Sequence, residues 1–284
     1  MNNSLENIIE LGKKLLEQKG IINPRSEALL IVQNALNKSK LEILTNYKEK
    51  IPVEKKTIIK NKFFERSTGK PVSKIFGKKE FYSNNFFVNS NVLDPRPESE
   101  LLVDVSKEIL VRKKKTPDIL ELGVGSGCII ISILLDLIEL QIRGVGIDVS
   151  NDALEVANIN RRRFNIRNLK LFQSDWFSNV QNKYDLIISN PPYVKKYEIN
   201  SLKDEVKKFD PLIALDGGKY GLNSYKKIAT EAKNFFKKDG MICLEIGLGQ
   251  KESVDKIFNE FGYKKVLEEK DLQDIHRVVV YKLK

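Results

Sequence analysis

The run Ile119-Leu120-Glu121-Leu122-Gly123-Val124-Gly125-Ser126-Gly127-Cys128 constrains this chain more than any other segment. It passes from an apolar strand-like stretch into an apolar helical one through glycines at three alternate positions. Only a backbone without Cβ turns that tightly and lets a ligand lie against it. Alone, such a loop also reads as an ordinary strand-to-helix turn. In a dinucleotide fingerprint the third glycine falls one position later, where this chain has Cys128, so the nicotinamide-type spacing is missing. The next apolar run ends in Gly146-Ile147-Asp148, about twenty residues on, where a carboxylate can accept from both hydroxyls of a ribose. The pair points to a nucleoside-bearing ligand far more strongly than either part does.

After Pro117 short apolar runs alternate with amphipathic helical ones, the pattern of a parallel sheet covered on both faces. Strands are predicted over 118–122, 144–148, 170–173, 184–189 and 241–246, with 264–267 and 276–282 completing a seven-stranded mixed sheet. The fold class is therefore α/β and Rossmann-like. Ser174-Asp175-Trp176-Phe177 follows the third strand at the edge of the sheet where ligands of such folds bind. There Asp175 can accept from an adenine amino group and Trp176 can cover the base, although a lone tryptophan is more often a core or surface aromatic.

Upstream, four short helices are predicted. Ser4 can cap the first, Asn23-Pro24 begins the second, Ser39 with Glu42 makes a capping box for the third and Pro52 starts the fourth. Gly69 and Pro71 are expected to end this bundle. Phe81, Tyr82, Phe86, Phe87 and Val88, split by Ser83-Asn84-Asn85, predict a β-hairpin joining two domains. Asp94-Pro95-Arg96-Pro97 then forms a stiff stretch before a helix carrying Leu101, Leu102, Val105 and Ile109. The expected division is a helical substrate-docking domain over 1–74, a hairpin linker over 75–94 and an α/β domain over 95–284.

The strand predicted over 184–189 runs directly into Asn190-Pro191-Pro192-Tyr193. Two prolines stiffen the backbone and remove two donors, leaving carbonyl oxygens for a ligand. The Asn190 side-chain oxygen and the Pro191 carbonyl can hold the two hydrogens of an sp2 NH2 group while Tyr193 stacks on its plane. The lone pair of such a nitrogen is delocalised, so catalysis consists of orienting it toward a methyl group and stabilising the charge that develops. Asn-Pro-Pro also forms ordinary turns; its place after the fourth strand, beside the glycine loop and Asp148, favours the active-site reading. No general base is evident, and the single histidine, His276, reads as structural or solvated.

The chain has 284 residues, 41% of them hydrophobic, enough for a substantial core. Cys128 and Cys243 lie far apart in apolar segments, form no metal-ligand spacing and read as reduced, buried thiols of a cytoplasmic protein. No signal peptide and no spanning segment is apparent: Met1 to Lys19 reads as an amphipathic helix, and the longest apolar run, over 128–138, is interrupted by Ser132 and Asp136. The formal charge is +11. Residues 1–75 hold 15 Lys and Arg against 8 Asp and Glu, a balance of +7, so the excess is concentrated in the helical segment. That suits either a docking surface for an acidic partner or a merely solvated cap.

These segments in this order resemble the class I methyltransferases, and the whole chain is similar to the HemK/PrmC family of release factor glutamine methyltransferases. The resemblance also rests on Gly77-Lys78-Lys79-Glu80-Phe81-Tyr82, Asp94-Pro95-Arg96-Pro97-Glu98-Ser99-Glu100, Gln173-Ser174-Asp175-Trp176-Phe177 and Asp210-Pro211-Leu212-Ile213-Ala214-Leu215-Asp216-Gly217-Gly218. It implies transfer of a methyl group from S-adenosylmethionine to N5 of the glutamine in the Gly-Gly-Gln motif of bacterial class-one peptide release factors. It implies cofactor contacts from Glu121, Gly123, Val124, Gly125, Ser126, Gly127, Asp148, Asp175, Trp176 and Asn190. Asn190, Pro191, Pro192 and Tyr193 would hold the glutamine amide, and Phe81 would help wall the pocket. No metal is implied.

Three positions depart from the family pattern: Val124 for a commoner threonine, Asp94 where many members have isoleucine, and Lys219-Tyr220 for a more usual acidic pair. Two other readings compete. Adenine N6 and cytosine N4 present the same planar NH2, so DNA or RNA methylation fits the loop. Against it, no target-recognition segment follows the core and no aromatic-interleaved basic tract is present to hold a flipped base, so nucleic acid is not the expected substrate. The second rival is a nucleotide- or RNA-binding module that kept the fold without catalysis.

Overall fold

The computed structural model describes residues 4–113 and 116–284; the first three residues of the amphipathic N-terminal segment, Met1 to Asn3, lie outside these. In chain order the elements are α1 (Leu5–Gln18), α2 (Pro24–Leu36), α3 (Lys40–Thr45), α4 (Val53–Ser67), α5 (Val72–Phe76), β1 (Lys78–Phe81), β2 (Asn84–Phe87), α6 (Glu100–Val111), β3 (Asp118–Leu122) and α7 (Cys128–Asp136). There follow β4 (Arg143–Asp148), α8 (Asn151–Arg163), β5 (Leu169–Gln173), β6 (Tyr184–Ser189), α9 (Asp204–Phe209), α10 (Asn223–Glu231), β7 (Phe236–Glu245), α11 (Lys251–Glu260), β8 (Tyr263–Lys270) and β9 (His276–Leu283). The chain divides into two compact units: Met1–Lys78 with Lys203–Phe209, and Lys79–Leu202 with Asp210–Lys284.

In the first unit the start signals act as expected. The Ser4 hydroxyl accepts from the Asn7 amide at 3.3 Å, and Ser39 and Glu42 exchange both bonds of a capping box. Pro24 and Pro52 stand at the openings of α2 and α4. Pro71 does not end the bundle; it opens a fifth helix, α5. A proline at a helix start forfeits no intrahelical bond and its fixed φ suits the first turn, so the same residue reads as a stop or a start. Leu5, Ile9, Leu16, Ile31, Ile59 and Phe63 form the core of this unit. α1 and α4 approach so closely that a Cβ on Gly12 would lie 2.3 Å from Phe63 Cζ. The buried Arg66 pairs with Glu27 at 2.9 Å and with Glu205 of α9 at 3.0 Å, which ties α9 into this unit.

The second unit is a seven-stranded sheet in the order β5-β4-β3-β6-β7-β9-β8, parallel from β5 to β7, with β9 antiparallel to both neighbours. Its central strands are buried on both faces. Ile119, Leu186, Ile188, Cys243, Val278 and Val280 point to one core, and Leu120, Leu122, Ile187, Ile242, Leu244 and Val279 to the other. Each such aliphatic side chain contributes about 2 kcal/mol by leaving water. Period-two alternation between two apolar cores is what turns these runs into interior strands rather than helices.

The hairpin turn falls at Tyr82-Ser83, both at positive φ (50° and 58°), while Asn84 and Asn85 belong to β2, one step from the predicted split. Glycine is not needed because Tyr82 is fixed by its partners: its amide donates to Glu100 at 2.8 Å and its hydroxyl to Asp104 at 2.5 Å. Rather than standing apart as a linker, the hairpin packs into the second unit through Phe81 and Phe86. Among the described residues no helix is long and apolar enough to cross a membrane.

Candidate active site

Leaving β3 the chain crosses to β4 and β5 on one side, then returns to place β6 on the other side of β3. The connections out of β3 and β6 therefore diverge, and a crevice opens beyond the carboxyl ends of the strands. A cavity of about 560 Å³ occupies this place. The glycine loop supplies Gly123, Val124, Gly125 and Ser126 to its lining, β4 supplies Asp148, the turn after β5 supplies Asp175 and Trp176, and the loop after β6 supplies Asn190 and Pro192. Glu121, one residue before the end of β3, also reaches it.

Gly123, Gly125 and Gly127 have φ of 68°, 52° and 78°, a left-handed conformation at every second residue. A Cβ on Gly123 or Gly125 would meet no protein atom within 4 Å, so backbone conformation rather than packing demands glycine there. At Gly127 a Cβ would come within 3.0 Å of Ile131, and this residue does not line the cavity. The loop is locked from both sides. Val124 N–H donates to the Ile147 carbonyl at 2.8 Å, and the fully buried Asn160 of α8 donates to the Ser126 carbonyl and to Phe87 of the hairpin, each at 2.9 Å.

Asp148 accepts from the Gly125 amide at 3.0 Å on one oxygen and from the Ser150 amide at 2.9 Å on the other. The carboxylate is thereby aimed while each oxygen keeps a further lone pair for a ligand hydroxyl. Burial lifts its pKa above the ordinary value, against the pull of backbone amides. Glu121 is buried, accepts among the described residues only from the Ile130 amide at 3.1 Å, and burial raises its pKa well above the usual carboxylate range, with Asp148 pushing the same way. Trp176 sits at φ 49°, rare for a bulky side chain, and the Ser174 hydroxyl holds that conformation by donating to the Trp176 carbonyl at 2.7 Å.

The Asn-Pro-Pro-Tyr loop is clamped at its carbonyls. Ser224 Oγ donates to the Pro192 carbonyl at 2.9 Å and Gln250 Nε2 to the Tyr193 carbonyl at 3.0 Å. Gly217 of the Asp-Gly-Gly segment and Gly221, three residues beyond it, press against the same loop: a Cβ on Gly217 would lie 2.8 Å from the Pro192 oxygen, and one on Gly221 2.3 Å from the Tyr193 oxygen. Among the described residues nothing donates to the Pro191 carbonyl, but Pro191 is buried and, like Tyr193, does not line the cavity.

Asn190 Nδ2 donates to Ser99 Oγ at 3.0 Å, and Ser99 Oγ donates to Glu245 Oε2 at 2.6 Å. The Tyr193 hydroxyl reaches the other oxygen of Glu245 at 3.4 Å. Neither Ser99 nor Glu245 stands out in the sequence, although Ser99 lies within the Asp-Pro-Arg-Pro-Glu-Ser segment and Glu245 ends a strand at the same sheet edge as Asp148. Phe81 must be corrected: it is buried in the core beside Phe86 and Leu102 and does not wall the cavity. Alternation along β1 turns it inward, away from the strand ends.

The methyltransferase small domain family matches residues 96–208, and the PrmC N-terminal domain family matches residues 7–77. A Rickettsia bellii bifunctional methyltransferase is 37% identical over 98% of this chain, covering 55% of its own length. The chain spans little more than half of such rickettsial relatives. The release factor glutamine methyltransferase of Caulobacter vibrioides is 35% identical over 95% of this chain and 93% of its own. This chain belongs to the release factor glutamine methyltransferase family. A crystal structure of a Pyrococcus furiosus methyltransferase superposes with a TM-score of 0.51 at 17% identity, covering 79% of this chain and 98% of that one, a likeness of fold.

Within the family pattern, the three departures have local explanations. Asp94 is buried but faces Lys79 at 3.7 Å, an ion pair in place of an apolar contact. The Val124 side chain fills the space above Gly146, where a Cβ would lie 2.8 Å from Val124 Cγ2. Lys219 lies over the ring of the exposed Tyr220, 5.2 Å from its centroid. Two family segments also meet directly: Arg96 pairs with the buried Asp210 at 2.6 Å, and Asp210 accepts from the Asp94 amide at 3.2 Å.

Proposed function

We propose that this chain methylates the side-chain amide nitrogen of a glutamine in a bacterial class-one peptide release factor, using S-adenosylmethionine. The observation that carries the reading is the Asn190 side chain, at the cavity wall with its nitrogen committed to Ser99 and no donor on its oxygen among the described residues. That oxygen is an acceptor suited to an NH2 group. The protein substrate follows from family membership and from the match along both units.

The residues present fit the cofactor. The open space over Gly123 and Gly125 admits a chain running across the glycine loop, the Asp148 carboxylate is aimed for two ribose hydroxyls, and Asp175 with Trp176 stands where an adenine would lie. Glu121, Val124, Ser126 and Gly127 complete that region as wall or backbone support. Bound there, S-adenosylmethionine would supply a sulfonium-activated methyl group: the new C–N bond to the amide nitrogen would form as the C–S bond breaks with its electron pair to sulfur, and the nitrogen would give up one proton to water. Asn190 accepts from the target NH2, and its bond strengthens as positive charge grows on that nitrogen. Pro192 bounds the amide plane at the cavity wall, while Pro191 and Tyr193, set behind that wall, stiffen and anchor the loop that carries Asn190.

Incubation of the chain with S-adenosylmethionine and a release factor should add 14 Da, about the mass of one CH2, to the peptide carrying Gly-Gly-Gln. Methyl transfer to DNA or RNA instead, with none to the release factor, would overturn the substrate.

A further inference from the structure

We propose that Ser99 and Glu245 are positioning residues that hold the Asn190 amide with its oxygen toward the cavity, so that the site takes an NH2 group and rejects a carbonyl. The inference deepens the reading above and rests on it for its catalytic consequence.

An ionised carboxylate only accepts. The Ser99 hydroxyl, 2.6 Å from Glu245 Oε2, must therefore spend its one proton on Glu245, and what remains toward Asn190 is a lone pair. Only the NH2 end of Asn190 can meet a lone pair, which it does at 3.0 Å, and the planar amide then carries its oxygen on the other side. Glu245 thus fixes the polarity of a side chain it does not touch. Its second oxygen takes the Tyr193 hydroxyl, so one carboxylate orients both ends of the Asn-Pro-Pro-Tyr loop.

Protonation undoes this. A neutral Glu245 can donate to Ser99, which frees the hydroxyl proton for Asn190, and the amide is then as well satisfied turned round, with its NH2 facing the NH2 of the substrate. The groups facing Glu245 come from five elements: Glu98 and Ser99 from the turn before α6, Arg277 from β9, Tyr193 from the loop after β6, Tyr225 of α10 and Cys128 of α7. Burial dominates them and pushes the Glu245 carboxyl up to about 7, with Arg277 and Ser99 pulling down and Glu98 pushing up. The polarity of the site is therefore set within the working pH range.

Two measurements test this on the full chain. In protein labelled with 15N at asparagine, the Asn190 side-chain resonances, assigned by their loss in Asn190→Ala, should shift with a midpoint near 7 in the wild type and lose that transition in Glu245→Gln and Ser99→Ala. This arm needs no substrate, and an absent transition in the wild type overturns the proposal. In turnover on a release factor, wild-type kcat should rise about tenfold from pH 6 to pH 8, the growth of the ionised fraction of such a group. Ser99→Ala and Glu245→Gln should lower kcat about tenfold to a hundredfold and flatten the profile, with KM for S-adenosylmethionine unchanged. Ser99→Thr, which keeps the hydroxyl, should restore kcat to within about threefold and restore the profile. Wild-type kcat and profile in Ser99→Ala would overturn the proposal, as would a loss that Ser99→Thr does not relieve. A wild type that shows the spectroscopic transition but leaves the release factor unmethylated overturns the function and not the network.

Discussion

At the scale of single residues, the site is a set of polar groups placed where burial makes them costly. Glu245 shows this most clearly. Its folded pKa, about 7, lies above the ordinary 4.5, so the stability linked to it is full below about 4.5 and is lost as pH rises through about 7. The loss is about 3 kcal/mol at about 1.4 kcal/mol per tenfold change in the proton equilibrium. Denaturant unfolding between pH 4.5 and pH 8 should show this decline in the wild type and a shallower one in Glu245→Gln; parallel curves would show that Glu245 does not titrate in this interval. Asn190 carries a different expectation. Asn190→Ala removes the acceptor from the cavity wall without touching Asp148 or the glycine loop, so kcat should fall about a hundredfold or more while S-adenosylmethionine still binds, as read by single-turnover kinetics and calorimetry. Unchanged turnover would remove Asn190 from the chemistry.

At the scale of elements, the glycine loop is held by β4 beneath it and α8 beside it, and its conformation depends on residues that accept positive φ. Gly125→Val should fold, because its Cβ meets no protein atom, but should weaken cofactor binding more than tenfold through left-handed strain and occupied ligand space. Gly146→Val should instead destabilise the fold, because its Cβ lies 2.8 Å from Val124 and from Leu171. Circular dichroism and calorimetry separate the two outcomes. The loop, the strand periodicities and Asp148 were legible in sequence because each is a local pattern with a local cause. Ser99 and Glu245 were not, since the bond between them joins residues 146 apart and no local spacing reports it. The role of Asn160 in tying hairpin to glycine loop was hidden for the same reason. Pro71 and Tyr82 misled for another: the start and stop meanings of proline coincide, and tertiary partners can hold a tyrosine where turn chemistry expects glycine or asparagine.

At the scale of the whole molecule, the chain combines a sheet whose strand ends build the cavity with a helical unit that carries most of the excess positive charge. If that charge docks the substrate protein, KM for a release factor should rise steeply with added salt while KM for S-adenosylmethionine changes little. Equal salt dependence would leave the helical unit as a solvated cap. Saturation with S-adenosylmethionine at about a hundred times its Kd should stabilise the fold by about 2.7 kcal/mol, seen as a rise in Tm that Asp148→Ala abolishes. Under the proposed function, Asn190 presents an acceptor to the NH2 of a release factor glutamine. The most direct test is tandem mass spectrometry of a release factor after reaction with the wild type and with Asn190→Ala. One added methyl on the Gly-Gly-Gln glutamine is expected from the wild type and almost none from the variant; a methyl on any other residue, or equal labelling by both, would remove Asn190 from this role.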